Sequence, residues 1–372
     1  MGLREIFLTF LKIGLYSFGG PGTHMRSIES ELIKNKKALS EDLFDDLKKG
    51  SFHLPGLIST GIVMKTGYKI KGVIGFILAA IGYVLPGALI LSLAGLYYKE
   101  LGTLPMIAPF LYGLKPAVLA ILLFTVIKLG FKFLTNISYL ANFLLVVIAY
   151  FIGFDIIWIM ILAMMANVFF DYSVQKANKQ AKIPALLPQA VSTVTVSFST
   201  ATVLATFVKI GFLLAGSGFV LVAFAKVFLV DNGLLTVQAL LDGTAFSLFV
   251  PGPITGLAAF LGFQLDAWRG SFIAVSGLLL AASFYAIIGL VFEKLILQWR
   301  LIGILTKSWN VAALGFLFAC TLQMSSTILI DYKLWIIGCF SLIILLKWPK
   351  LHKVWILIIA ANLGYILHHY LA

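Results

Sequence analysis

The stretch Ser17-Phe18-Gly19-Gly20-Pro21-Gly22-Thr23-His24 places three glycines and a proline inside eight residues of an otherwise apolar N-terminal segment. A helix cannot run unbroken through it. Glycine permits backbone angles closed to other residues, and Pro21 has no N–H for the preceding turn, so one helix ends near Phe18 and another begins near Pro21. The second helix then opens with free backbone N–H groups at Gly22, Thr23 and His24. Inside a membrane these donors and the positive end of the helix dipole lack water, which makes them a ready anion site.

Composition supplies the membrane. Of 372 residues, 61% are hydrophobic and 12% charged, and the mean hydropathy is +1.03, more apolar surface than a soluble core of this length can hide. Apolar runs of about 18–25 residues suit long helices rather than the short alternating strands of a barrel, so the fold class is an all-α integral membrane protein. Residues 1–18 carry Arg4, Glu5 and Lys12 and lack a small-x-small cleavage site, which predicts a retained N-terminus. Cys320 and Cys339 sit in apolar segments and read as packing residues; neither a disulfide nor a metal site is expected, and no cofactor is called for. The net charge of +13 is spread over short loops between spans, which fits the positive-inside rule and argues against nucleic acid as a partner.

The second half of the chain repeats the first. Lys12-Ile13-Gly14 returns as Lys209-Ile210-Gly211, Gly19-Gly20 as Gly216-Ser217-Gly218, Leu39-Ser40 as Leu235-Thr236, Leu54-Pro55-Gly56 as Val250-Pro251-Gly252, and the pair Gly67 and Gly75 as Gly262 and Gly270. Order is preserved, and the offsets are 195 to 197 residues. An internal duplication follows. It divides the chain into an N-terminal repeat (1–171), a connector and lead-in (172–199) and a C-terminal repeat (200–372). Residues 3–18 and 21–33 form the first broken segment, Ser40 starts a helix over 41–53, and Leu57 to Lys65 is a short segment ended by a loop from Gly67 to Gly72. Spans are expected at 73–98, 106–131, 138–153 and 156–171, and again at 271–292, 301–322, 328–346 and 352–371.

Charge predicts how the repeats are inserted. The 34–50 segment carries five lysines, whereas its counterpart at 231–246 carries Asp231 and Asp242 and no lysine, so equivalent loops should face opposite sides. That requires an odd number of crossings per half. The resulting expectation is two inverted-topology repeats, about ten transmembrane helices plus two re-entrant helical hairpins around Pro55 and Pro251, with the breaks meeting near the midplane. If the glycine breaks are tight hairpins, the halves become parallel instead.

The set Phe18-Gly19-Gly20-Pro21 with His24, Leu39-Ser40, Leu54-Pro55-Gly56 with Ser59-Thr60, Gly67-Tyr68, and Pro251-Gly252-Pro253 resembles the chromate ion transporter family in its two-domain form. The resemblance covers nearly the whole chain. It implies a multi-pass protein of the bacterial or archaeal inner membrane that moves chromate, typically outward, with sulfate as a similar competitor. Leu57, Gly61 and the run Ala215-Gly216-Ser217-Gly218-Phe219 depart from the family pattern, and all fall at the expected site.

Four helix beginnings carry that site: Gly20 to His24 with Gly19 before them, Gly56 to Thr60, Gly216 to Phe219 including Ser217 and Gly218, and Gly252 to Thr255. Converging N–H groups and the hydroxyls of Thr23, Ser59, Thr60 and Thr255 can bond the four oxygens of a tetrahedral dianion without trapping it. The plainer alternative is that these glycines and prolines only permit close packing and kinks. Lys12 and Lys209 precede the breaks by about 9 Å of helix, near enough to attract an anion and near enough to the interface to snorkel. Lys226 is a weaker candidate. His24 can donate to an oxyanion or simply pack between helices, and Glu29, Asp46 and Asp242 are candidate proton carriers that also read as acids on solvated faces. The expected activity is secondary transport of a tetrahedral oxyanion by alternating access; an anion channel is the second reading. An intramembrane hydrolase built on Ser217 is a third, although no Gly-x-Ser-x-Gly elbow is present. A homodimer is compatible with all of these.

Overall fold

The computed structural model describes residues 1–19, 21–104, 106–175, 199–215 and 217–370. Gly20, Gly216 and most of the connector between the repeats lie outside the described residues. Among the described residues there are helices and no strands. The first half contains α1 (Leu3–Tyr16), α2 (Pro21–Glu29), α3 (Glu41–Phe52), α4 (Ile58–Thr103), α5 (Ala108–Phe133), α6 (Ile137–Ile152) and α7 (Ile156–Gln175). The second contains α8 (Thr200–Leu213), α9 (Val220–Ala225), α10 (Val237–Phe249), α11 (Thr255–Val291), α12 (Glu293–Gln298), α13 (Arg300–Ile328), α14 (Tyr332–Lys347) and α15 (Lys353–Tyr370).

Four helices, within α4, α5, α11 and α13, are long and apolar enough to cross a membrane. Shorter apolar helices accompany them, and large side chains such as Ile148, Ile152, Trp158 and Phe272 point outward from the bundle. A soluble protein would hide such residues. The protein is a multi-pass all-α membrane protein.

Both halves repeat the same local devices. α1 stops at Tyr16 and α8 at Leu213, each followed by a break and then a short helix that ends in a wide π turn, Ser30–Asn35 in one half and Lys226–Val230 in the other. The wide turns are closed by five-residue hydrogen bonds from Lys36 N–H to the Glu31 carbonyl and from Asp231 N–H to the Lys226 carbonyl. Ser40 Oγ accepts from Leu43 N–H to cap α3, and Thr236 Oγ1 accepts from Ala239 N–H to cap α10, as hydroxyls at that position favour. Packing follows the same scheme: α1 lies on α4 as α8 lies on α11, and α4 and α11 pack on each other across the halves.

The Gly67–Gly72 segment is not the loop that its composition suggests. Helix continues to Ile70 and resumes at residue 73, so only Lys71 and Gly72 leave helical geometry. At 1.5 Å per residue, Gly67 and Gly75 would lie about 12 Å apart on a straight helix. Instead a Cβ on Gly67 would sit 2.3 Å from the Gly75 carbonyl oxygen, and one on Gly75 would sit 2.2 Å from the Gly67 oxygen. The chain therefore reverses sharply at 71–72, and the glycines are where its two arms touch. Gly262 and Gly270 make the same contact around a reversal at Asp266–Ala267.

Those two turns differ in one residue. Gly72 has φ +57°, and its counterpart Ala267 has φ +43° with ψ −140°. An L side chain is strained there by about 1–3 kcal/mol. Ala267→Gly is expected to stabilise the protein by roughly 1 kcal/mol, read as a higher midpoint of thermal unfolding in detergent, although glycine also loses more chain entropy on folding. A lower midpoint would show that the strain is relieved elsewhere.

Candidate functional site

The breaks of the two halves come together. Gly19, Thr23 and His24 from the first break, Gly56 to Ser59 from the start of α4, Ser217 to Phe219 from the second break, and Gly252 to Ile254 from the start of α11 all line one cavity of about 210 Å³. Ser247, Leu248 and Val250 at the end of α10 complete that wall. The remaining wall is Lys350, Leu351, His352 and Lys353, the turn between α14 and α15.

Two backbone bonds join the halves beneath the cavity. Gly56 N–H donates to the Leu214 carbonyl at 2.6 Å, and Gly252 N–H donates to the Ser17 carbonyl at 2.8 Å. Ser17 and Leu214 are 197 residues apart, Gly56 and Gly252 196, so the bonds are one contact made twice with the halves exchanged. Both glycines need a left-handed backbone, φ +102° and +110°. A Cβ on Gly56 would also lie 2.7 Å from Cδ2 of Tyr285. The amides of Gly56 and Gly252 are therefore spent on joining the halves and cannot also bond a solute.

The remaining donors are only partly taken up by local turns. In the second half, Val220 and Leu221 N–H donate to the carbonyls of Ser217 and Gly218, Phe219 N–H donates to Ser217 Oγ, and Gly256 and Leu257 N–H donate to Pro253 and Ile254. These tight turns occupy several of the amides at the starts of α9 and α11. In the first half, the N–H groups of Gly22, Thr23, Ser59 and Thr60 have no acceptor among the described residues. Of these four, Thr23 and Ser59 line the cavity, and in the second half Gly218 and Ile254, also on the cavity, likewise have N–H groups with no acceptor among the described residues.

His24 is 2% exposed, and its Nε2–H donates to the Gly19 carbonyl at 3.0 Å, closing the break on itself. Its Nδ1 is buried without a hydrogen-bond partner, and its ring meets Tyr83 edge-on at 5.7 Å. Thr60 and Thr255 are fully buried with unpartnered hydroxyls, yet both stand behind the cavity wall rather than on it. Gly22 is exposed away from the cavity.

The cations are not the expected pair. Lys12 forms an ion pair with Glu31 at 3.2 Å while more than half exposed, and Lys209 lies 4.2 Å above the Phe228 ring; neither lines the cavity. Lys226 is buried against Asp231, Tyr150 and Gln323, also off the cavity. The lysines on the cavity are instead Lys350 and Lys353. Lys353 Nζ sits 4.0 Å over Phe219, and His352 approaches Phe18 edge-on at 6.4 Å, so this turn bridges the two breaks. In the sequence these lysines look like ordinary loop charges. Only the path of α14 and α15 turns them inward.

Ser217 and His24 both spend their bonds on neighbouring backbone, the serine with Phe219 and the histidine with Gly19. No group of three or more His, Cys, Asp or Glu side chains able to hold a metal occurs among the described residues. The sequence profile of the chromate transporter family matches residues 4–168 and again residues 201–365. The chain belongs to the chromate transporter family. That is a transporter family, not an enzyme family, and its profile recurs once in each half. A chromate transport protein of Cupriavidus metallidurans is 24% identical over 383 residues, covering 99% of this chain and 94% of that protein. One from Pseudomonas aeruginosa is 26% identical over 306 residues, covering 77% and 73%. An uncharacterised transporter of Bacillus subtilis is 25% identical over 149 residues, which are 40% of this chain but 75% of the shorter protein. No solved structure matches the chain.

Proposed function

We propose that this protein is a secondary transporter that exports chromate or a related tetrahedral oxyanion such as sulfate across the inner membrane by alternating access. The observation that carries the reading is the cavity at the meeting of the two halves, with open amides from both halves and two lysines in its wall. A dianion seated there takes hydrogen bonds from Thr23, Ser59 and the open first-turn amides. It takes charge from Lys350 and Lys353. The chromate transport proteins among its relatives support the substrate class.

In this reading the two repeats are inserted with opposite orientation, and the broken segments stand at the midplane as in other transporters built from inverted repeats. The reciprocal Gly56 and Gly252 bonds support a two-fold relation between the halves. Export is downhill: a dianion leaving a cell with an inside-negative potential gains about 4.6 kcal/mol per 100 mV.

Binding of an oxyanion panel to purified protein, followed by flux in proteoliposomes, tests the proposal. Chromate and sulfate are expected to compete for one site, and flux is expected to saturate at carrier turnover. Binding of neither oxyanion would refute it. Single-channel currents would replace the carrier by a channel of the same fold.

A further inference from the structure

α10, whose end forms part of the cavity wall, carries a buried acid that the oxyanion site does not use. Asp242 is 2% exposed and pairs with Lys115 of α5 at 3.3 Å, while the Tyr98 hydroxyl of α4 donates to its Oδ2 at 2.8 Å. Lys115 Nζ also donates to the Leu111 carbonyl at 3.2 Å. The acid belongs to the second half and both partners to the first, so the triad is a further tie between the halves. The repeat-related acid, Asp46, is more than half exposed and pairs with Lys49 of its own helix, at 3.7 Å. One copy of the duplicated module has therefore drawn inward an acid that the other leaves at the surface.

Burying a charged pair costs desolvation that the attraction seldom more than offsets, and an ionisable group at membrane depth is a functional candidate by default. The groups that act electrostatically on Asp242 are Lys115 from α5 and Tyr98 from α4. Its own helix and α11 contribute Phe246 and Phe260, which pack on the Tyr98 ring. Nearby Lys226 is engaged with Asp231, Tyr150 and Gln323. Ser247, at the cavity, lies five residues further along α10, or about 7.5 Å of helix rise.

We infer that Asp242 is a proton-coupling site, in which a proton bound by the carboxylate ends its ion pair with Lys115 and frees α10 to move the cavity wall. The proton adds to a carboxylate oxygen to give the neutral acid, and Lys115 stays an ammonium held by the Leu111 carbonyl. The inference rests on the oxyanion reading. A proton entering while a dianion leaves moves positive charge inward twice over, so both steps draw on the same membrane potential.

The test is Asp242→Asn in proteoliposomes with the potential clamped by potassium and valinomycin. In the wild type, a pH difference of about one unit is expected to shift the steady-state chromate ratio about tenfold per coupled proton. Asp242→Asn is expected to abolish that shift while keeping chromate–chromate exchange, which needs no net proton movement. The double variant Lys115→Gln with Asp242→Asn leaves no lone buried charge, and it is expected to behave the same way even if the single variant folds poorly. A pH-driven shift retained in either variant, or absent from the wild type, overturns the inference. Absence of exchange in the wild type refutes the oxyanion reading and takes this inference with it.

Discussion

Gly56→Ala is expected to remove most of the folded protein. The substitution forces an L residue to φ near +102° and drives a Cβ to within 2.7 Å of the Tyr285 ring. Backbone strain of about 1–3 kcal/mol and overpacking of about 1–3 kcal/mol act together. Their sum is a large part of the 5–15 kcal/mol typical of a folded domain. Tyr285 cannot swing aside freely, because its hydroxyl donates to the Phe212 carbonyl at 2.9 Å. Gly252→Ala meets the same strain at φ +110° but no side chain, its nearest neighbour being the Gly14 oxygen at 3.4 Å. The expected order of damage is therefore Gly56→Ala above Gly252→Ala, measured as monodisperse yield and unfolding midpoint in detergent. Equal behaviour of the two variants would show that the Tyr285 contact is soft.

Lys353→Gln is expected to weaken chromate binding by about 10–100-fold, the range for losing one charge-assisted hydrogen bond in a site shielded from water. Glutamine is one methylene shorter but keeps a donor, so most of the loss reports charge rather than shape. Phe219, 4.0 Å from the ammonium, holds the side chain over the cavity. Phe219→Leu should therefore weaken binding by a smaller factor and leave its salt dependence intact, whereas Lys353→Gln should flatten it. Isothermal titration of purified protein at two ionic strengths measures both. An unchanged affinity in Lys353→Gln would move the anion away from the α14–α15 turn.

Much of the frame is legible in the sequence. Three glycines and a proline in eight residues stop any helix, and α1 and α2 end and begin at Tyr16 and Pro21, close to the expected places. Ser40 and Thr236 announce their helices through the capping hydroxyl, and the ordered motifs in both halves expose the duplication. Glycine, however, signals two opposite things. Gly67 and Gly75 suit a loop and a close helix contact equally well, and only the three-dimensional path shows the contact.

The site was harder to read for related reasons. Helix starts advertise free amides, but whether an amide stays free depends on long-range partners such as Leu214 for Gly56 and on local turns such as those at Pro253 and Ile254. A lysine six residues before a break looks well placed, yet the helix face decides its direction, and Lys12 faces Glu31. Lys350 and Lys353 carry no local mark that separates them from other loop lysines. Their role depends on α15 docking along α5, a contact between segments more than 200 residues apart.

The exchanged bonds from Gly56 to Leu214 and from Gly252 to Ser17 also bear on how such proteins came to be assembled. A lone copy of the module has a donor and an acceptor that cannot reach each other within it, because each is answered only by the opposite copy. The Bacillus subtilis relative aligns with 40% of this chain, and a protein holding one copy alone would need a second polypeptide to complete the same two bonds. Carrying both copies in one chain fixes their ratio at one to one, whatever the level of expression.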